Sequence, residues 1–322
     1  MITTRRTFLE AAGAATIAAM AGVRVPVSKA QRQARPDSPD AGGFLRLRDW
    51  GVCVPAQEWA QHGQWVIDGV MEVLQPARWH SWGIWPLSDA PGRVPAVFSD
   101  QYFDRPATRQ YLTDHPSREW GSFNEPEIAS RKKMMPSIAA DDAMTPEYMS
   151  PELAADVTME FITLGWDVGN EFQWLSPSVT INTASNGLQW LTEYIVIMRR
   201  HGVMRPCAWG IHPYNCNTVA ALRQSMARWW DWYEAWGLHA PVVITEVCAE
   251  GEDVAGQMLV MDECAAMLRR GEVAGVAWAS AYKGASDGTN WQHYALCVLH
   301  PETQAVTLTP LGQRWKELQH GL

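Results

Sequence analysis

Eight apolar segments of strand length recur along this chain with helix-length stretches between them, and that alternation restricts the fold more than any other feature of the sequence. The segments are Trp50–Val54, Ala77–Trp82, Val94–Phe98, Trp120–Phe123, Phe172–Ser176, Cys207–Ile211, Val242–Val247 and Gly275–Ala281. Eight strands alternating with helices predict a single-domain α/β fold, a (β/α)8 barrel, with an open doubly wound sheet as the alternative. No Gly-rich phosphate loop supports that alternative. Successive segments begin 27, 17, 26, 52, 35, 35 and 33 residues apart. A βαβ unit usually needs about thirty residues, so the second and third connections must be short.

Helix signals fill the gaps. Glu58–Leu74 is amphipathic, Ser150-Pro151 opens a run to Gly165, and Leu188–Arg200 stops before Gly202. Val219–Trp236, Val254–Arg270 and Leu311–Leu318 complete the series. Arg131-Lys-Lys-Met-Met-Pro and Asp141-Asp142 belong to a polar excursion expected to form a loop over the active face.

The N-terminus has a different character. Arg5-Arg6 precedes a weakly apolar, Ala/Gly-rich stretch, and Ser28-Lys29-Ala30 offers a cleavage site. Residues 1–30 are expected to be a twin-arginine signal peptide, 31–43 a flexible linker and 44–322 the catalytic barrel. The mature chain would be periplasmic or extracellular, a monomer, and not membrane-bound.

The chain carries 26 basic and 35 acidic residues. Residues 1–30 hold four basic residues against Glu10, so the remainder is near −12 and a nucleic-acid partner is not expected. Six cysteines form no close-spaced pair and are read as buried thiols, with disulfides left possible for Cys216 and Cys264. Nine histidines show no HExxH or His-x-His cluster, so neither a metal nor a cofactor is expected. Tryptophan is the outlier, at 18 of 322 residues, most of them expected in the core. A flat aromatic face packs well against the C–H face of a sugar ring, which favours a carbohydrate ligand.

Two apolar segments each deliver a carboxylate to a strand end. Trp120-Gly-Ser-Phe-Asn-Glu-Pro126 stops at Asn124-Glu125, where Pro126 ends the ladder, and Val242-Val-Ile-Thr-Glu-Val247 presents Glu246. A carboxylate in an apolar strand is costly unless it faces a polar site. In a β/α barrel the C-terminal strand ends converge, so the two glutamates can oppose one another as glycoside hydrolysis requires.

The motifs Asn124-Glu125-Pro126, His212-Pro-Tyr214 and Thr245-Glu246, each after a strand, resemble clan A glycoside hydrolases. The closest resemblance is to glycoside hydrolase family 128, through Trp-Gly-x-Phe-Asn-Glu-Pro, Ser176-Pro177 followed by Trp190-Leu191, Thr-Glu, and Leu308-Thr-Pro-Leu-Gly-Gln-Arg-Trp315. It runs from about Trp50 to Trp315. The chain departs from the family pattern at Glu127, where Asp is usual, at Pro213, often an aromatic, and at Val247, where Phe is favoured. The resemblance implies a retaining hydrolase of a β-glucan, β-1,3-linked, with endo action favoured. It implies Glu125 as acid/base, Glu246 as nucleophile and Asn124 as donor to the sugar 2-hydroxyl. Tyr214 would contact the nucleophile, and His212 would line the same wall.

Trp79, Trp82, Trp278 and Tyr282 flank strand ends and are candidates for the sugar platform, with Arg78 and His80 beside them. For Trp278 the alternative is filling the barrel interior, given the period-two pattern of Val276–Tyr282. Two other functions remain open at this stage: a non-hydrolytic glycan-binding protein on the same barrel, and a clan A hydrolase of another β-linked polysaccharide.

Overall fold

The computed structural model describes residues 49–54, 63–81, 94, 105–114, 119–127, 149–168, 173–182, 185–203, 206–214, 216–249, 253–282 and 294–322. The chain divides into two compact units, Met1–Ser38 and Pro39–Leu322. The expected signal peptide and linker, the loop at 131–142, most of the third strand and Trp82 lie outside the described residues.

Within the second unit the described elements are β1 Asp49–Cys53, α1 Trp65–Leu74, β2 Arg78–His80, α2 Arg105–Asp114, β3 Glu119–Trp120 and α3 Pro151–Asp167. They continue with β4 Gln173–Trp174, β5 Val179–Thr180, α4 Gly187–Arg200, β6 Trp209–His212, α5 Val219–Ala235, β7 Val242–Val247 and α6 Val254–Arg269. β8 Gly275–Trp278, β9 Cys297–His300, β10 Ala305–Leu308 and α7 Pro310–His320 complete the set.

One parallel sheet runs in the order β2-β1-β8-β7-β6-β5. The pairing of the first strand with the eighth, Trp50 opposite Val276, decides between the two architectures. A doubly wound sheet leaves its first and last strands apart, whereas a barrel must join them. Val94 N–H donates to Trp79 O at 2.8 Å, placing the third stave beside β2. β3 pairs with β4 in parallel, and bridges at Asn124–Ser178 and Leu175–Ala208 tie both to their neighbours. The fold is a (β/α)8 barrel.

β4 and β5 are two pieces of one stave. The predicted strand Phe172–Ser176 is interrupted at Ser176-Pro177 because proline has no N–H to give the ladder, and pairing resumes at Ser178, whose N–H donates to Phe123 O at 2.8 Å. Gly210 of β6 faces this interruption. A Cβ there would come within 2.4 Å of Ser178 Oγ, so only glycine lets the two staves close up.

Several helices open on a side-chain cap. Ser150 accepts from Leu153 N–H at 3.2 Å with Pro151 in the first turn, Asp253 accepts from Gly256 N–H at 2.8 Å, and Thr309 accepts from Gly312 N–H at 3.0 Å ahead of Pro310. α1 begins at Trp65 rather than Glu58, since Gly63 has φ +92°, outside any α-helix. α2 was not foreseen from the sequence because Arg105–Asp114 is short and largely polar. The antiparallel β9–β10 hairpin was missed too. It packs on α1, where a Cβ on Gly69 would lie 2.5 Å from a Val306 methyl.

Trp50, Trp120, Trp190, Trp209, Trp229 and Trp315 are fully buried in one continuous core. Trp50 and Trp315 stack with ring centroids 6.0 Å apart, and the Trp50 indole donates to Trp315 O at 3.2 Å. This bond ties the first strand to the last helix. All six cysteines are thiols, five of them buried, in line with the sequence reading.

Candidate active site

The two glutamates arrive from different staves and by different local geometry. Glu246 lies in β7, one residue before its end, and is 3% exposed. Glu125 follows β3 in the left-handed region, at φ +45°, and its N–H donates to Ser178 O at 2.7 Å. A glutamate at positive φ is uncommon, and here it turns the carboxylate from the strand line into the barrel mouth. Pro126 behind it prevents the ladder from continuing.

His212, at the end of β6, sits between them. Its Nδ1 is 2.9 Å from Glu125 Oε1, and its Nε2 is 3.8 Å from Glu246 Oε1. One oxygen of Glu125, one of Glu246 and a ring nitrogen of His212 lie within 4.8 Å of one another. Burial alone would push the imidazole's pKa down, but the charge of Glu246 and the hydrogen bond to Glu125 outweigh it, and the net shift is upward. Tyr214 O–H donates to Glu246 Oε2. Burial and the adjacent carboxylates push the phenol well above its ordinary range, so it remains a donor. Beneath Glu246, Thr245 Oγ1 donates to Ser178 Oγ at 2.8 Å and anchors the seventh stave to the fifth. Sequence reasoning did not single out this contact.

Glu127 is a third buried carboxylate, 4% exposed. Its Oε1 accepts from Thr180 N–H at 2.6 Å and from the Thr180 hydroxyl at 2.8 Å, clamping the Asn124–Glu127 turn to β5. Burial raises its pKa and the Thr180 hydrogen bonds counter that in part. Its contribution to stability is thus full in acid and declines as pH climbs through the raised value. Glu127→Ala should destabilise the fold by about 1–3 kcal/mol, because a buried N–H loses its acceptor, whereas Glu127→Gln keeps an acceptor oxygen and should cost less. Urea unfolding of the two variants measures the difference.

The aromatic candidates fare differently. Trp79, Trp278 and Tyr282 are each 0% exposed, and no ring face of theirs opens to solvent. Trp79 alternates in β2 with Arg78 and His80, which line the interior cavity, so it points the other way. The Trp278 indole donates to Tyr294 O at 2.9 Å and its ring lies in the main core with Trp50, on the other side of the strand from Ala277 and Ala279, so it is buried core and not an open sugar platform. Arg78 pairs with Asp49 at 3.6 Å near the strand starts, away from the glutamates. His80 lies closer to the site, 3.4 Å from Cys53 Sγ. Burial, assisted by Arg78 and His212, pushes its pKa down to about 3.

Among the described residues, two trios gather metal-capable donors: Glu125/His212/Glu246 and Cys53/His80/Glu246. The second was not anticipated. Its residues are far apart in sequence, and the only signal was the position of Cys53 and His80 at strand ends.

Residues 75–313 match the glycosyl hydrolase catalytic core family. The chain belongs to that family and is a glycoside hydrolase. No curated protein sequence matches it. Among solved structures it is similar to an endo-β-1,3-glucanase of glycoside hydrolase family 128 from Sorangium cellulosum, with 18% identity and a TM-score of 0.54 over 84% of this chain and 98% of that one. A second family 128 endo-β-1,3-glucanase, from Amycolatopsis mediterranei in complex with laminarihexaose, shares 17% identity with a TM-score of 0.60 over 84% and 98%. A curdlan-specific exo-β-1,3-glucanase of the same family from Blastomyces gilchristii, in complex with glucose, shares 17% with a TM-score of 0.56 over 83% and 97%. At these identities the likeness speaks for the fold, and it agrees with the resemblance carried by the motifs.

Proposed function

We propose that this chain is a retaining β-1,3-glucan hydrolase with endo action, using Glu125 as acid/base and Glu246 as nucleophile. The observation that carries the reading is that one oxygen of Glu125 and one of Glu246 come within 4.8 Å of each other across the barrel mouth, too close for a water to be held between those two oxygens in line for attack. Retaining enzymes hold the pair about 5–5.5 Å apart, whereas inverting ones leave about 6.5–9.5 Å for a water.

In the first step Glu125 gives its proton to the glycosidic oxygen while a Glu246 oxygen attacks the anomeric carbon, and the leaving chain departs as an alcohol. In the second, Glu125 takes a proton from water, the hydroxide attacks the same carbon, and the Glu246 ester breaks. Tyr214 keeps one Glu246 oxygen hydrogen-bonded, leaving the other to react. His212 holds Glu125 through Nδ1 and, when protonated, lowers the repulsion between the two carboxylates. Asn124 is taken as the donor to the 2-hydroxyl on the strength of its place in the Asn-Glu-Pro motif.

Reducing-sugar release should be measured on β-1,3-glucan, β-1,4-glucan and β-mannan, with the anomer formed first read by NMR. Release from the first polymer, initially as the β-anomer, is expected. Release only from another polymer refutes the linkage, and none from any polymer at several pH values refutes hydrolysis.

Export by the twin-arginine route belongs to the same reading, supported by Arg5-Arg6 ahead of the Ala/Gly-rich stretch. Replacing both arginines with lysine should leave the protein in the cytoplasmic fraction, and unchanged export would contradict it.

A further inference from the structure

Cys53 ends β1, His80 ends β2 and Glu246 lies near the end of β7. β1 pairs with β2 in a register that sets Cys53 directly opposite His80. The Cys53 thiol donates to Thr245 O at 3.2 Å, the carbonyl just before Glu246. One donor atom from each of the three residues falls within 4.8 Å of the other two. Sulfur, imidazole nitrogen and carboxylate oxygen are the donors that thiophilic divalent cations prefer. A tetrahedral zinc with a sulfur at about 2.3 Å and a nitrogen at about 2.0–2.1 Å holds those two atoms about 3.5 Å apart. Here they stand 3.4 Å apart before any ion arrives. The site borders the barrel interior, where a small cavity of about 40 Å³ is lined by His80, Thr245 and His212.

We propose that Cys53, His80 and Glu246 form an inhibitory site for a thiophilic divalent cation such as Zn²⁺, which silences the enzyme by taking the nucleophile as a ligand. On binding, the Cys53 S–H bond breaks, its proton leaves to solvent and the sulfur electron pair passes to the metal. His80 Nε2 and a Glu246 oxygen complete three protein ligands, and that oxygen can no longer attack the anomeric carbon. The inhibition rests on Glu246 being the nucleophile, but the binding does not. The neighbouring trio of Glu125, His212 and Glu246 offers no sulfur, so Cys53 separates the two.

The test uses the full chain, Cys53→Ala and Cys53→Ser, titrated with Zn²⁺ in the glucanase assay and, separately, with Co²⁺ in an absorbance experiment. Both variants should keep glucanase activity while needing far more Zn²⁺ for half-inhibition, at least roughly tenfold, since even a lost outer-shell partner costs about 10–100-fold in affinity. Co²⁺ should give a near-ultraviolet thiolate charge-transfer band with the parent chain and none with either variant. A chelator should restore the parent activity. Equal Zn²⁺ sensitivity in parent and variants, a band that survives loss of Cys53, no band at all, or inhibition that a chelator cannot reverse would each overturn the proposal. A parent chain that gives the band yet hydrolyses no glucan would instead refute the catalytic reading and leave the metal site standing.

Discussion

Glu246→Gln is expected to lower kcat on β-1,3-glucan by roughly 10⁴-fold or more, the scale seen when a covalent catalyst is removed. The amide is nearly isosteric, and its carbonyl can still accept from the Tyr214 hydroxyl, so the barrel should fold and sugar should still bind. What disappears is the oxygen nucleophile, and with it both the glycosyl-enzyme and every later step. Because Glu246 is 3% exposed in a hydrogen-bonded setting, water is poorly placed to substitute for it. Mass spectrometry after incubation with a slow fluorinated substrate offers a second reading. The parent chain should gain one glycosyl unit on the peptide containing Glu246, and the variant none. Near-normal turnover in the variant would remove Glu246 from the mechanism.

Glu125→Gln should give a different pattern. Without a proton donor, hydrolysis of the natural polymer should fall about 10²–10⁴-fold, the usual worth of general acid assistance. An aryl glycoside with a good leaving group needs no such proton, so its glycosylation step should be largely spared and the ester should accumulate, giving a burst followed by slow turnover. Azide, which needs no general base, should then speed release. The variant also carries the left-handed φ of +45° that Glu125 adopts, and Gln meets the same backbone demand, so a change in folding is not the expected source of the loss. Equal losses on polymer and aryl glycoside would exclude Glu125 as the acid/base.

The sequence was most informative where one chemistry dominated a segment. The apolar strand Val242–Val247 was read with its observed bounds, and Ser150-Pro151 opens its helix as read because cap geometry is local. Asn124-Glu125-Pro126 declared itself because a carboxylate ends an apolar run where a proline stops pairing. Non-local arrangements were harder to read. Arg105–Asp114 went unread because it is only ten residues long and polar on average, although Pro106 stands in its first turn. The β9–β10 hairpin lies outside the repeating strand–helix unit that the interval pattern described. Glu127 was noticed only as a departure from a family pattern, and its hold on Thr180 depends on a strand reached 53 residues later. Cys53 and His80 stand 27 residues apart, and only the parallel pairing of β1 with β2 makes them neighbours. The tryptophan surplus agrees with a carbohydrate-acting enzyme, but it could not locate the sugar platform, because most of the described rings are buried in the core.

That core carries a spectroscopic consequence. Trp50, Trp79, Trp120, Trp190, Trp209, Trp229, Trp278 and Trp315 are sealed from water. Trp65, Trp166, Trp230 and Trp232 stand on the outer-layer helices. Native emission should therefore be blue-shifted and should move sharply to the red only as the barrel opens, making indole fluorescence a gauge of unfolding. A shift on adding glucan to the folded chain would turn attention to Trp174 and Trp236, which are not fully sealed, and to Trp59, Trp82, Trp85 and Trp291, outside the described residues.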